Sequence, residues 1–394
     1  MLVISIFSAA AHVALLAASV HGEPIALPLT KSYVPLKLDN QTVNLIVDSG
    51  STASFAIYGP WYEGLHGVGS CSNLTTGCYF CPKHNPCEDI FSRGRRRVRF
   101  SGGEVFRYVQ HRVTLGLGEN KTALDFGFGL VIGYNNTSGK TDKVLGNLGL
   151  SVGLRGLPET FLEQLKERGV ISELSYSIRT NGRGRFISGT LTLGDSRPRS
   201  APYVSFSRHP EYFGETIAVP LWPLRLFDYL GNLSILRTST GDTIPRHAPV
   251  PSLLDSGALS LRISSMEFEM IVKATTTSMH RRGIKTDEPI REDPIRSVSL
   301  VKEEAVPYLP TLAFDIGEAP HMVDIRIKPE HYIHSCRSGT CVMDLRRQRN
   351  KTAVTGRPLF RAYDVKFDLQ NSRIYFWPHE GSSGHTAGAS QPLR

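Results

Sequence analysis

Past its first 22 residues the 394-residue chain has no apolar run approaching the length of a membrane span, which excludes a polytopic membrane protein. Charge is also sparse. Only 21% of residues are Asp, Glu, Lys or Arg, against 40% hydrophobic, which excludes wholesale disorder and a coiled coil. Six cysteines are too few for a miniature disulfide scaffold and suit a few staples on a larger fold. Metal-ligand spacing is thin. Cys78-x-x-Cys81 with nearby His84 lacks a second spaced pair, and His331-x-x-His334 lacks a third ligand, so no metal or cofactor is expected. What is plentiful is turn formers, 36 Gly and 24 Pro, on a chain long enough for two domains of roughly 150–200 residues.

Residues 1–22 carry no charged side chain and are almost wholly apolar or small, with Val20-His21-Gly22 offering a cleavage point before Glu23. The segment reads as a signal peptide lacking the usual positive start, with a retained anchor as the competing reading. Two further features fit an oxidising route. Sequons of the N-x-S/T type occur at Asn40, Asn73, Asn120, Asn135, Asn136, Asn232 and Asn350. Cysteines cluster at Cys71, Cys78, Cys81 and Cys87, where three pairings are open, and at Cys336 with Cys341, which close a small hairpin loop. The expected location is the cell exterior or the lumen of the secretory and vacuolar–lysosomal pathway, with no membrane span in the mature chain.

The net charge of +9 gathers around Arg93, Arg95, Arg96, Arg97 and Arg99. No aromatic residue interleaves with these arginines, so nucleic acid is not an expected partner. The open readings are a solvated loop, an attraction for acidic partners and a basic processing site.

The chain also repeats itself. Leu45-Ile46-Val47-Asp48-Ser49-Gly50-Ser51 and Ser252-Leu253-Leu254-Asp255-Ser256-Gly257-Ala258 are both apolar strands ending in Asp-Ser-Gly and a small residue. Each is answered by a glycine, Gly149 after Asn147-Leu148 and Gly356 after Val354-Thr355, at 101 residues from its aspartate. Two related lobes follow, 23–200 and 201–379, with a flexible tail at 380–394. Period-2 alternation at 42–47 and 321–328 and short β-runs at 176–178 and 190–193 make the fold mostly β. Helices are expected at 158–169, between Pro158 and Gly169, and at 264–283, capped by Ser264 or Ser265. The charged, Pro-containing stretch 286–307 reads as a surface loop.

A carboxylate at a strand end, with glycine two residues on, sits where the chain turns and can face a cleft. If a pseudo-twofold axis brings Asp48 and Asp255 together, both cannot ionise easily, and one keeps a proton while the other acts as a base. A water between them could then be deprotonated by one aspartate while the other protonates a substrate carbonyl. Ser49 and Ser256 are placed to bond across the axis, Gly50 and Gly257 to make the turns, and Ser51 to donate to Asp48.

These paired motifs resemble the pepsin-like aspartic proteases. The resemblance continues through Tyr308-Leu309-Pro310-Thr311-Leu312-Ala313-Phe314 and Leu359-Phe360-Arg361-Ala362-Tyr363-Asp364-Val365-Lys366-Phe367-Asp368. It implies a bilobal fold of two pseudo-twofold-related β lobes with a few short helices, a monomer, and an endopeptidase without cofactor. Peptide or protein substrates would lie in the cleft between the lobes. Asp48 and Asp255 carry over as the catalytic pair, and Phe100-Ser101-Gly102-Gly103 matches the flap, near 98–108, with a ring but no phenol. Phe55 stands where Trp is usual, Ala258 where Thr or Ser is usual, and Asn147 where an apolar residue is. Loss of the hydroxyl at 258 removes a hydrogen bond to charged Asp255, so a less acidic optimum is expected. The 25 residues from Glu23 to Val47 leave little space for an inhibitory prosegment, so activity without trimming is expected. The alternative is a protease-fold binding or inhibitor protein, catalytically weak or inactive.

Overall fold

The computed structural model describes residues 22–379, apart from 120, 137–143, 154–158, 182–183, 198–200, 208–215, 235–247, 294–297 and 349–351. The leader, the tail at 380–394 and the sequons Asn120 and Asn350 lie outside the described residues, except for Gly22 at the end of the leader.

Strand formation follows the alternation in the sequence. Gln41–Asp48 buries Val43, Leu45 and Val47 on one face and turns Thr42 outward. It pairs antiparallel with Tyr33–Leu38 and in parallel with Asn147–Gly149, where Asp48 stands opposite Gly149. The second half repeats the arrangement, with Val250–Leu253 parallel to Ala353–Val354 and Leu253 opposite Val354. The partner is 101 positions downstream in both cases, so the spacing in the sequence is the register of a parallel strand pair.

The first half forms a seven-stranded sheet ending at the edge strand Arg95–Arg99, which pairs with Glu104–Leu117. The second half forms an eight-stranded sheet and a separate four-stranded one. Beneath both lies a six-stranded sheet in the order Ile25–Leu29, Gly189–Leu193, Ser175–Thr180, Tyr363–Asp368, Arg373–Pro378 and Tyr203–Ser205. Its central pairing, with Val365 opposite Ile178, joins strands from the two halves of the chain. The protein is mostly β.

Two expectations are corrected. The arginine run is not a loop. From Arg95 to Arg99 the backbone pairs with the next strand, Val98 opposite Phe106, and those guanidinium groups stay in solvent, as charges on an edge strand do, while Arg93 precedes the strand and binds Asp89. Nor is 286–307 a loop, because Ile290 and Val301 are buried and opposite each other in the antiparallel pair Ile290–Asp293 and Val298–Lys302.

The long helix, Ser265–Arg281, begins after Ser264, whose hydroxyl accepts the Glu267 N–H while the Glu267 carboxylate takes the Ser264 N–H. Thr160 and Glu163 make the same box for Phe161–Glu167, which therefore starts later than the Pro158 signal suggested; Pro158 lies outside the described residues. Disulfides join Cys71 to Cys78, Cys81 to Cys87 and Cys336 to Cys341. Asn40, Asn73, Asn135 and Asn232 are exposed and Asn136 is half-buried. No described helix is long and apolar enough to cross a membrane.

Candidate active site

The two Asp-Ser-Gly turns meet at the centre of the molecule. Ser49 N–H donates to Ser256 Oγ at 3.1 Å, and Ser256 N–H donates to Ser49 Oγ at 2.9 Å. Each hydroxyl then donates to the strand end of the opposite half, Ser49 Oγ to the Leu254 carbonyl at 2.6 Å and Ser256 Oγ to the Val47 carbonyl at 2.8 Å. All of these atoms are buried, so the bonds form in a low-dielectric setting where they are strong and where breaking one leaves an unpaired group.

This lattice sets the carboxyl groups. Asp48 Oδ1 accepts the Gly50 N–H at 2.9 Å, and Asp255 Oδ1 accepts the Gly257 and Ala258 N–H groups at 2.8 and 3.0 Å. Each glycine abuts the other half's carboxyl. A Cβ on Gly50 would lie 2.6 Å from Asp255 Cγ, and one on Gly257 would lie 2.9 Å from Asp48 Cγ. Only glycine fits where two carboxyl groups approach so closely. Asp48 hydrogen-bonds Asp255 and is held well above the ordinary carboxylate range. Burial is the main cause, with the adjacent Asp255 charge next.

Three nearby residues had no role assigned to them from the sequence. Asn147 is buried, donates from Nδ2 to the Ala53 carbonyl at 2.9 Å, and hydrogen-bonds Asp48. Ser51 Oγ accepts the Ala53 N–H at 3.1 Å. Tyr176 lies below the pair, its phenol pushed up by burial and by the Asp48 and Asp255 charges, its ring stacked on Phe367. Arg357 is buried on the Asp255 side, with Nε 3.4 Å from the Ser256 carbonyl and, among the described residues, no partner for Nη1. Burial, then neighbouring Arg361, brings its guanidinium down to about 10, against the opposing pull of Asp344, Tyr33 and Asp255. Asn147 was visible as an odd residue before a glycine; Arg357 left no local signal.

Phe100, Ser101, Gly102 and Gly103, matched above to the flap by resemblance, form the tip of a hairpin. Phe100 and Gly103 close the turn, with the Gly103 N–H on the Phe100 carbonyl at 3.0 Å and the Phe100 N–H on the Glu104 carbonyl at 2.8 Å. The Phe100 ring meets Phe55 edge-on at 6.4 Å and Phe106 at 5.6 Å, so both residues that replace polar aromatics pack into one cluster. Ser101 Oγ accepts a hydrogen bond from Arg262 Nη1 of the other half at 2.9 Å.

A separate cavity of about 670 Å³, lined by Arg93, His111, Arg112 and Gln164 among others, includes neither aspartate. Two of its arginines are already engaged: Arg93 binds Asp89 and His111 Nδ1, and Arg112 binds Asp125. The nearby Cys81 and Cys87 sulfurs, which with His111 have the proximity of a metal-ligand set, are bonded to each other.

No curated protein sequence matches the chain. Among solved structures, it is similar to the aspartic proteinase from Irpex lacteus, with a TM-score of 0.64 and 14% identity over 92% of this chain and 99% of that one. The family model described as eukaryotic aspartyl protease matches residues 128–378. With well over half of its length matched and two Asp-Ser-Gly turns interlocked at its centre, the chain belongs to the eukaryotic aspartyl proteases, the pepsin-like aspartic-type endopeptidases.

Proposed function

We propose that the protein hydrolyses peptide bonds in the secretory pathway, using one water held between Asp48 and Asp255. The observation that carries this reading is the reciprocal Ser49–Ser256 lattice, which keeps Asp48 hydrogen-bonded to Asp255. Asp48, pushed up by burial and by its neighbour, holds the shared proton. Asp255, supplied with two backbone N–H groups, is the base.

The water attacks the carbonyl carbon, passing its proton to Asp255, while Asp48 gives its proton to the carbonyl oxygen. The gem-diol then collapses. Asp255 returns its proton to the leaving nitrogen, one diol hydroxyl re-protonates Asp48, and the C–N bond breaks without a covalent enzyme intermediate. Three disulfides and the exposed sequons support a lumenal or extracellular site of action.

A binding protein with weak or no activity is the second reading. It draws on the Phe100 ring without a hydroxyl and on the Arg262–Ser101 bond, which ties the hairpin tip to the other half. Incubation with a denatured protein substrate separates the two. Cleavage that stops with a statine-type peptide and in Asp48→Asn supports hydrolysis, and intact substrate at every pH from acidic to neutral supports the binding protein.

A further inference from the structure

The strand Leu261–Ser264, which follows the Asp255 turn, runs in parallel with Leu345–Gln348 and sets Arg262 directly opposite Arg346. Like charges in register repel unless an anion lies between them. The carboxylates of this region are engaged elsewhere. Asp344 binds Arg361 at 2.6 Å and His334 at 3.0 Å, while Glu269 and Glu292 both bind Arg347 at 3.1 Å. Among the described residues, buried Arg346 Nε has no hydrogen-bond partner, and burial, with Arg262 next, holds that guanidinium below its ordinary value. Arg262 reaches the flap tip instead, through the neutral Ser101 hydroxyl. The flap hairpin repeats the pattern, with Arg97 opposite Arg107. Each half thus sets two arginines in like-charge register, and the Arg262–Ser101 bond links the strand Leu261–Ser264 to the flap hairpin.

We propose that Arg262 and Arg346 form a carboxylate-binding subsite that selects peptides with an aspartate or glutamate at one position near the scissile bond. The proposal rests on the endopeptidase reading above and names its substrate class. A carboxylate between the two guanidinium groups takes bidentate hydrogen bonds, relieves the repulsion and satisfies Nε, with Ser101 released from Arg262 as it enters. Among the described acidic groups, Asp344 acts on Arg346 but is already committed, and the Glu104 carboxylate lies against Gly102 of the hairpin tip. Selection therefore needs the peptide carboxylate ionised, and it fades as pH falls below about 4.

The test uses peptides with Asp, Asn or Lys at each position in turn. Binding is measured on Asp48→Asn protein and kcat/KM on the unaltered protein. At one position the Asp peptide binds about tenfold or more tightly than the Asn peptide, an advantage lost in Arg262→Gln, reduced in Arg346→Gln and partly kept in Arg262→Lys. Thermal melting of each variant shows that it is folded. Carboxylate selection in binding without turnover of any peptide leaves the subsite standing and removes hydrolysis. Cleavage with no carboxylate preference at any position, or a preference untouched in both glutamine variants, overturns the subsite and leaves hydrolysis standing.

Discussion

Arg357 and Asp255 face each other through the Ser256 backbone, the guanidinium Nε 3.4 Å from the carbonyl of the residue that follows the aspartate. A buried cation here favours a negative charge on the Asp48–Asp255 pair. Replacing it by Met removes that support, so the acid limb of the kcat/KM profile moves to higher pH. Stability is kept or raised, since a buried guanidinium with an unpaired Nη1 is costly. A profile identical to that of the unaltered protein would show that the charge does not reach the pair.

Ala258 acts on the same carboxylate from the other side. Its N–H already bonds Asp255, and Ala258→Thr adds a hydroxyl that can bond the charged form. The acid limb in this variant moves to lower pH. The basic limb reports the raised Asp48, so activity in the unaltered protein persists above the ordinary carboxylate value of about 4 and falls as Asp48 loses its proton. Rates measured from pH 2 to 8 in both proteins check both limbs.

Gly50→Ala and Gly257→Ala each place a methyl against the opposite carboxyl, at 2.6 and 2.9 Å from its Cγ. Displacement of either group by a fraction of an ångström to about 1 Å lowers kcat by about 100-fold. Circular dichroism checks that the fold persists, and retained kcat in both variants would mean that the carboxyl positions are not critical.

A fourth expectation concerns acid stability. Asp344 is buried between Arg361 and His334. Burial alone would raise its carboxyl, but the His334 hydrogen bond and the Arg361 charge bring it below the ordinary value. A depressed folded-state value means stability fully present above about pH 4 and lost as pH falls through that lower value. Asp344→Ala leaves Arg361 as an unpaired buried charge and costs about 3–5 kcal/mol at neutral pH, with a flatter decline of stability in acid. Urea unfolding at pH 7 and below pH 4 measures both.

Much of this centre could be read from the residues, because the pseudo-symmetry writes it twice. The 101-residue interval is a physical register, Asp48 opposite Gly149 and Leu253 opposite Val354, and the Ser264 cap is a local hydrogen bond with a local signal. What stayed hidden depends on distant parts of the chain. Arg357 belongs to Asp255 only after Ala353–Val354 pairs with Val250–Leu253, and Arg346 meets Arg262 only through a parallel strand pairing. Arg95–Arg99 has little intrinsic strand preference and becomes one because Glu104–Leu117 offers it an edge.

The six-stranded base sheet has a mechanical meaning. Because Val365 is hydrogen-bonded alongside Ile178, neither half is a complete folding unit, and a chain cut near its middle would give two fragments each with an open strand edge. Such fragments should stay inert apart and recover together. The gap between the two acids is thus gauged by a common floor as well as by the bonds between the two serines.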